Sequence, residues 1–345
     1  MGAVFDQLEG IRKQIAADQE VLSEAITRRN SVLEVARRLH GAARTYIAGS
    51  VAHRTVNHPV TDADCGVVLD RRSYPELGPD GGGEGPGDIV DELIDLVGER
   101  IVDNYSDATI DTHKRGLLVR FDEPFKEQDP TVDLIVTLTR KDADGLWIPN
   151  LETGEWDASH PEKHTELFTS GSKQLRVLRA RTGRLAKAWN CQWEKDDRAL
   201  SSFNILALAY EFATDEEMSL EEAVAGWFRY AATELAKGPT KDPAGVSPDV
   251  ALLLDQSTVI ARLDKAASNL EDALAHNDDP DAVAEILAKV FRDYIDVDAE
   301  SKAGFARSLR RGNDRISVTS TGALALGTTG KKLKTGSAYG GPIRG

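Results

Sequence analysis

The chain has 345 residues, is 41% hydrophobic and carries a formal net charge of −15. That is enough apolar material for a full core and, by length, two packed units. The acidic balance argues against a duplex DNA binder, which needs a basic surface to displace counterions. The cysteines, Cys65 and Cys191, form no disulfide framework and suit a reducing interior. No apolar run approaches the ~20 residues that cross a bilayer. Residues 1–6 lack the charged and apolar regions of a signal peptide. The sequence therefore predicts a cytoplasmic protein with no membrane partner.

In chain order, residues 4–40 are helical by period. Phe5, Leu8, Ile11 and Ile15 make one stripe; Val21, Leu22, Ala25, Ile26, Val32, Leu33, Val35, Ala36 and Leu39 continue it. Asn30-Ser31 reads as a second helix start and Gly41 as the C-cap. Thr45-Tyr46-Ile47-Ala48 reads as a strand ending in a Gly49-Ser50 turn, where a small residue lets the backbone approach a ligand. The next strand holds Asp62-Ala63-Asp64-Cys65-Gly66-Val67-Val68-Leu69. Side chains alternate along a strand, so Asp62 and Asp64 share a face. Cys65 is expected to fill space behind the sheet. Asn57 and His58 read as a surface turn, with contact to a base or substrate as the other option.

The Gly- and Pro-rich stretch from Tyr74 to Gly87 reads as a mobile loop, a surface excursion before a cover over the site. A helix is predicted from Asp88 to about Asn104, then strands near 108–113 and 116–121. The strand Thr131–Leu138 carries a lone Asp133 in an apolar run. Such a carboxylate is expensive to bury unpaired, so it is expected to share a cation with Asp62 and Asp64. Residues 146–161 read as an irregular aromatic-rich linker, with Ser159 as N-cap and Pro161 early in the next helix. Helices are predicted at 172–193, 199–213, 219–237, 249–275 and 281–295. From Arg307 onward, Arg307, Arg310, Arg311, Arg315, Lys331, Lys332, Lys334 and Arg344 face one acid, Asp314, among Gly, Ser and Thr, which predicts disorder. The expected fold class is α+β, a sheet domain packed on a C-terminal helical domain. The expected boundaries are 1–165, 166–297 and a basic tail at 298–345.

Paired carboxylates beside a turn with free backbone N–H groups describe a divalent-metal and phosphate site. In nucleotidyl transfer a hydroxyl attacks an α-phosphorus in line and pyrophosphate leaves. Two Mg²⁺ ions, for which Mn²⁺ could substitute, stabilise the attacking and leaving oxygens. Asp62 and Asp64 would bind both metals, and Asp133 would hold the one at the attacking hydroxyl. Gly49 and Ser50 would cradle the β and γ phosphates at a helix start.

Gly49-Ser50, Asp62-Ala63-Asp64 followed by Gly66 and Leu69, and then Asp133 resemble the DNA polymerase β-like nucleotidyltransferases. The Asp-x-Asp-x-Gly-x-x-Leu form is most similar to the cyclic GMP-AMP synthase/DncV-like enzymes of bacterial anti-phage (CBASS) systems. Trp156 with Ser159-His160-Pro161 resembles that family's Trp…Ser-Asp-Pro segment, with His160 in place of the acid. Lys187-Ala188-Trp189-Asn190 and Ser201-Ser202-Phe203 resemble its Lys-x-Trp and Ser-Tyr/Phe elements. The resemblance implies that Lys187 and Ser202 contact the donor triphosphate. One departure is Asn204-Ile205-Leu206, where the family has an acid; Glu211 lies later. The implied activity is condensation of NTPs into a cyclic di- or oligonucleotide messenger, read by a downstream effector. In some systems of this family an E1/E2-like partner joins the enzyme's terminal Gly to a target, which would here be Gly345. The alternative activity is NMP transfer to tRNA or protein, and a catalytically dead nucleotide sensor is a third reading.

Plainer readings compete at several positions. Lys187 beside Arg181 and Arg184 reads equally as a solvated helix face, and Ser202 as a cap-region residue. His160 and His164 have zinc-ligand spacing but no further ligands nearby, which favours structural histidines. Trp189 and Trp193, four apart, read as core rather than as a base-stacking platform.

Overall fold

The computed structural model describes residues 2–215 and 217–297, plus the backbone of short strands at 316–318, 324–326 and 331–332. The first helices are α1 (Ala3–Gln14) and α2 (Gln19–Ala36). The break falls at 15–18 rather than at Asn30-Ser31. Asp18 caps α2 by accepting from the N–H groups of Glu20 and Val21. Ser31 sits inside α2 because its hydroxyl donates to Thr27 O at 3.2 Å, the back-bond that lets serine ride within a helix.

A mixed sheet follows. Strand β1 (Ala42–Ile47) leads into the one-turn helix α3 (Gly49–Ala52), then strand β2 (Asp62–Leu69) and helix α4 (Gly87–Ile101). Next come β3 (Thr109–His113), β4 (Gly116–Arg120), β5 (Thr131–Thr139), β6 (Leu146–Asn150) and β7 (Glu155–Ser159). The order is β1-β2-β5-β4-β3, with β6 paired to the far end of β5 and β7 to β6. Only β2 and β5 run parallel; β1–β2, β4–β5 and β3–β4 are antiparallel. One face of the sheet buries Cys65, Val67, Leu69, Val132, Leu134 and Val136 against α2 and α4. Cys65 thus fills space behind the sheet as its position suggested. The opposite face is left for the acids.

The expected linker at 146–161 is a β-hairpin, in which Leu146 pairs with Ser159 and Asn150 with Glu155. Gly154, at φ +73°, makes the turn. The cap that follows is His160, not Ser159: its Nδ1 accepts from Lys163 N–H, with Pro161 in the first turn. The Gly-rich excursion packs on this hairpin. Trp147 Nε1 donates to Asp80 Oδ2 at 2.8 Å and Trp156 Nε1 to Glu84 O at 3.0 Å. Trp147 pairs with Leu138, five residues along β5 from Asp133, so the excursion lies at the end of the sheet away from the acids.

The second half is helical: α5 (Pro161–Phe168), α6 (Lys173–Asn190), α7 (Ser202–Phe212), α8 (Leu220–Lys237), α9 (Gln256–Ala275) and α10 (Pro280–Leu287). The last two are shorter than the periodicity predicts: Asp255 caps α9 and starts it later, at Gln256, while α10 begins at Pro280 after its cap Asp279 and ends early, at Leu287. Their core gathers Trp189, Trp227, Phe228, Leu263 and Phe291, and takes in Val4, Leu8 and Ile11 of α1. Trp189 is buried here and meets Trp193 edge-on, which confirms the core reading. Among the described residues, no helix is long and apolar enough to cross a membrane. In the tail, Ile316–Val318, Leu324–Leu326 and Lys331–Lys332 pair as an antiparallel ribbon, which the expectation of disorder did not include. The rest of the tail, Gly345 with it, lies outside the described residues.

Candidate functional site

Parallel pairing of β2 with β5 sets Asp64 directly opposite Asp133. Asp62 is two residues back on the same face, so the pleat brings three carboxylates together. One oxygen from each lies within 4.8 Å of the others, and all three residues are half-buried. Burial pushes the Asp64 carboxyl up to about 7, and the negative charges of Asp62 and Asp133 push the same way. Burial likewise raises Asp133, against the pull of His113, whose Nε2 stands 4.0 Å from Asp133 Oδ1. Close, partly buried like charges are costly unless a cation joins them. The donor set, oxygen from carboxylates alone, fits Mg²⁺ or Mn²⁺.

Gly49 is held against this cluster. Its φ is +69°, and a Cβ there would lie 1.5 Å from Asp64 Oδ2. Glycine is therefore required twice, for the left-handed backbone and for the space. Ala48 N–H donates to Asp64 O at 3.1 Å, tying the turn to β2. Gly49 and Ser50 open a helix of only four residues. The turn thus offers free first-turn N–H groups rather than the substantial helix dipole expected from the sequence.

From the helical half, Lys187 is buried and reaches this site rather than solvent. Its Nζ donates to Thr55 O at 3.2 Å and Thr55 Oγ1 at 3.3 Å. Burial draws its pKa down to about 8, opposed by the nearby charges of Asp62 and Asp64. The solvated-face reading fails for Lys187. Arg184 is also drawn in: its Nε donates to Asn57 Oδ1 at 2.9 Å and Asn57 Nδ2 returns a bond to Arg184 O. Asn57 thus docks the Gly-Ser segment on α6.

Ser202 is exposed at the first position of α7, because Ser201 takes the capping role by accepting from Asn204 N–H at 3.1 Å. Lys187 and Ser202 line one cavity of about 390 Å³ together with Asn190, Cys191, Lys195, Arg198 and Leu253. A second space of about 390 Å³ lies between the β6–β7 hairpin and the helices, lined by Arg115, Asp157, Ser159, His164, Phe203 and Ser247. There His164 Nε2 meets Asp242 Oδ1 at 2.5 Å, and His160 is the helix cap, so neither histidine is arranged for zinc. Asn204 is buried with its Oδ1 accepting from Thr240 Oγ1. Glu211 lines a different cavity with Glu234, Lys237 and Lys241. Glu211 therefore does not stand in for the acid absent at 204–206.

Thr55, His113 and Arg198 did not stand out in the sequence. Thr55 and His113 reach the site only through long-range pairing. Asn190 had a signal, since it ends the Lys187-Ala188-Trp189-Asn190 run, and it lines the cavity.

No protein-family model matches the sequence, and no curated protein matches it. Solved structures do. The fold is that of the DncV-like cyclic dinucleotide synthases. CdnC of E. coli MS115-1, solved with ATP, aligns with a TM-score of 0.62 at 16% identity, over 84% of this chain and 98% of CdnC. The cyclic AMP-GMP synthase DncV of Vibrio cholerae, solved with the linear intermediate pppA(3′,5′)pG, aligns with a TM-score of 0.53 at 16% identity, over 85% and 86%. The c-di-GMP synthase CdnE of Capnocytophaga granulosa aligns at 0.54 and 16%, over 74% and 83%. At these identities the likeness establishes the architecture.

Proposed function

We propose that this chain is a metal-dependent nucleotidyltransferase that condenses nucleoside triphosphates into a cyclic di- or oligonucleotide messenger, with release of pyrophosphate, in anti-phage defence. The observation that carries the reading is the meeting of Asp62, Asp64 and Asp133 on one sheet face, against the Gly49 turn and opposite Lys187. Asp62, Asp64 and Asp133 are the residues that would hold Mg²⁺ or Mn²⁺. Two such ions, when bound, supply an activated hydroxyl and neutralise charge on the transferring phosphate and its leaving group.

Around them the chain's own groups bind and orient. The Gly49 and Ser50 N–H groups and the Ser50 hydroxyl face the polyphosphate, with Lys187 and Ser202 from the helical side. Lys187, near 8, keeps its proton at neutral pH and offsets phosphate charge. The space beside Phe203, Ser159 and Asp157 is large enough to receive a base. In this reading, residues 1–165 form the catalytic core, 166–297 close the nucleotide cleft and 298–345 form a tail. Partners follow from the same reading: an effector bound through the product, and an E1/E2-like protein acting at Gly345. The CdnC relative is also solved in complex with HORMA-deltaN, so a HORMA protein is a further partner to test. The cytoplasm is the compartment that supplies the substrates.

Incubation with all four labelled NTPs and Mg²⁺, followed by phosphatase and chromatography, tests the function. Small phosphatase-resistant products, absent from an Asp62→Asn/Asp64→Asn double variant, support it. Label that appears only on added RNA or protein would replace it with macromolecular NMP transfer.

A further inference from the structure

The cavity shared by Lys187 and Ser202 holds a second, half-buried cationic group that the reading above leaves without work. Arg198 lines it, and among the described residues the guanidinium Nε is buried with no hydrogen-bond partner. An N–H removed from water without an acceptor is a standing penalty that an anion removes. Arg198 makes no ion pair among the described residues. Lys195 adds a further positive charge to the rim, against the single acid Asp196.

The backbone that presents Arg198 is fixed. Asn190 Oδ1 accepts from the N–H groups of Ala199 at 3.1 Å and Leu200 at 3.2 Å, while its Nδ2 donates to Leu200 O at 2.7 Å. This one amide holds the segment between Arg198 and the Ser201-Ser202 start of α7. The cavity is therefore preorganised, with an ammonium, a guanidinium and an exposed serine hydroxyl around one space. A planar guanidinium suits phosphate oxygens, which accept two parallel N–H bonds. Lys187 is the cation of this cavity that feels Asp62 and Asp64, so it stands on the side of the acids. Arg198 lines the same cavity from the loop that precedes α7.

We propose that Arg198 completes a polyphosphate cradle with Lys187 and Ser202, and that it binds the terminal phosphate and so makes the site select triphosphates over diphosphates. The inference rests on the proposed function for the identity of the nucleotide, but the cradle itself can be tested with inorganic phosphate chains. Cys191 provides the readout: it is exposed and lines the same cavity, whereas the other cysteine, Cys65, is buried. Its rate of alkylation by a maleimide, measured by mass on the full chain in EDTA, reports occupancy without metal or turnover.

Tripolyphosphate and ATP should slow Cys191 alkylation in the wild type at lower concentration than pyrophosphate or ADP. Arg198→Gln should weaken protection by tripolyphosphate and ATP about tenfold or more. Protection by ADP should change far less, so the preference for three phosphates collapses. Arg198→Lys should restore part of it, and serves as the test if Arg198→Gln melts early. Unchanged protection in Arg198→Gln, or an equal loss for triphosphate and diphosphate, would overturn the assignment. No protection of the wild type by any phosphate chain would overturn it as well. Protection by tripolyphosphate in a protein that makes no nucleotide product would leave the cradle standing and remove the proposed reaction. Product formation with an insensitive Arg198→Gln would do the reverse.

Discussion

Replacing Gly49 with alanine separates the geometry of the acidic cluster from the stability of the fold. The added methyl carbon would lie 1.5 Å from Asp64 Oδ2, and ordinary contact begins at 3.4 Å, so the carboxylate must retreat by nearly 2 Å. The backbone also pays for a left-handed φ of +69°, about 1 kcal/mol for a residue with a Cβ. A fold of this size loses only a few degrees of melting temperature for that. Catalysis is far more sensitive, since a misplacement of about 1 Å can cost roughly 100-fold. Gly49→Ala should therefore lose about two orders of magnitude in turnover with a melting temperature within a few degrees of wild type. Steady-state pyrophosphate release and differential scanning fluorimetry on the same preparation measure both. Wild-type turnover in Gly49→Ala, or a loss that merely tracks the unfolded fraction, would refute the argued contact between the turn and Asp64.

Other expectations follow from the same structure. Lys187→Met keeps the buried stem but removes the charge, so KM for NTP should rise about tenfold or more at little cost in stability. Asn190→Ala leaves the buried N–H groups of Ala199 and Leu200 and the Leu200 carbonyl unpaired, and should destabilise by about 3 kcal/mol in urea unfolding. His53 is buried and drawn down to about 4 by burial, with the charges of Lys187 and His164 acting the same way. Because the unfolded chain protonates near 6.5 and the folded one near 4, its contribution is complete above 6.5. It is lost as pH falls from 6.5 to 4, by up to roughly 3 kcal/mol. His53→Gln should flatten the stability profile across that window. Mg²⁺ at about 100 times its dissociation constant should stabilise the protein by about 2.7 kcal/mol, and Asp64→Asn should abolish that gain while raising the melting temperature of the metal-free protein.

Much of the site was legible because it is written in local periodicity. Asp62 and Asp64 stand two apart on a strand, and Asp133 interrupts an apolar run, so each announces its face without reference to any other segment. What joins them is the parallel register of β2 and β5, which no local pattern encodes. Lys187 shows the same limit: by sequence it sits in a basic helix face with Arg181 and Arg184, and only packing against Thr55 turns it inward. Arg198 was silent because its loop has no periodicity. The misread elements have local causes too. Pro149 and Gly154 punctuate the β6–β7 hairpin and made it resemble a linker. Asp18 was overlooked as a cap because Asn30-Ser31 offered a stronger-looking start. The division between the halves was visible as a change from mixed to helical patterns, but the packing of α1 into the helical core was not, since its apolar stripe suits either partner.

The central claim is that three acids on one sheet face perform metal-dependent nucleotidyl transfer. The most direct test follows α-phosphate label and pyrophosphate together in the wild type and in Asp133→Asn, with Mg²⁺ and with EDTA. The account predicts stoichiometric pyrophosphate release and transfer of label into a small cyclic product by the wild type with Mg²⁺, and neither in the variant or in EDTA. Label transfer that persists in Asp133→Asn or without divalent metal would contradict it.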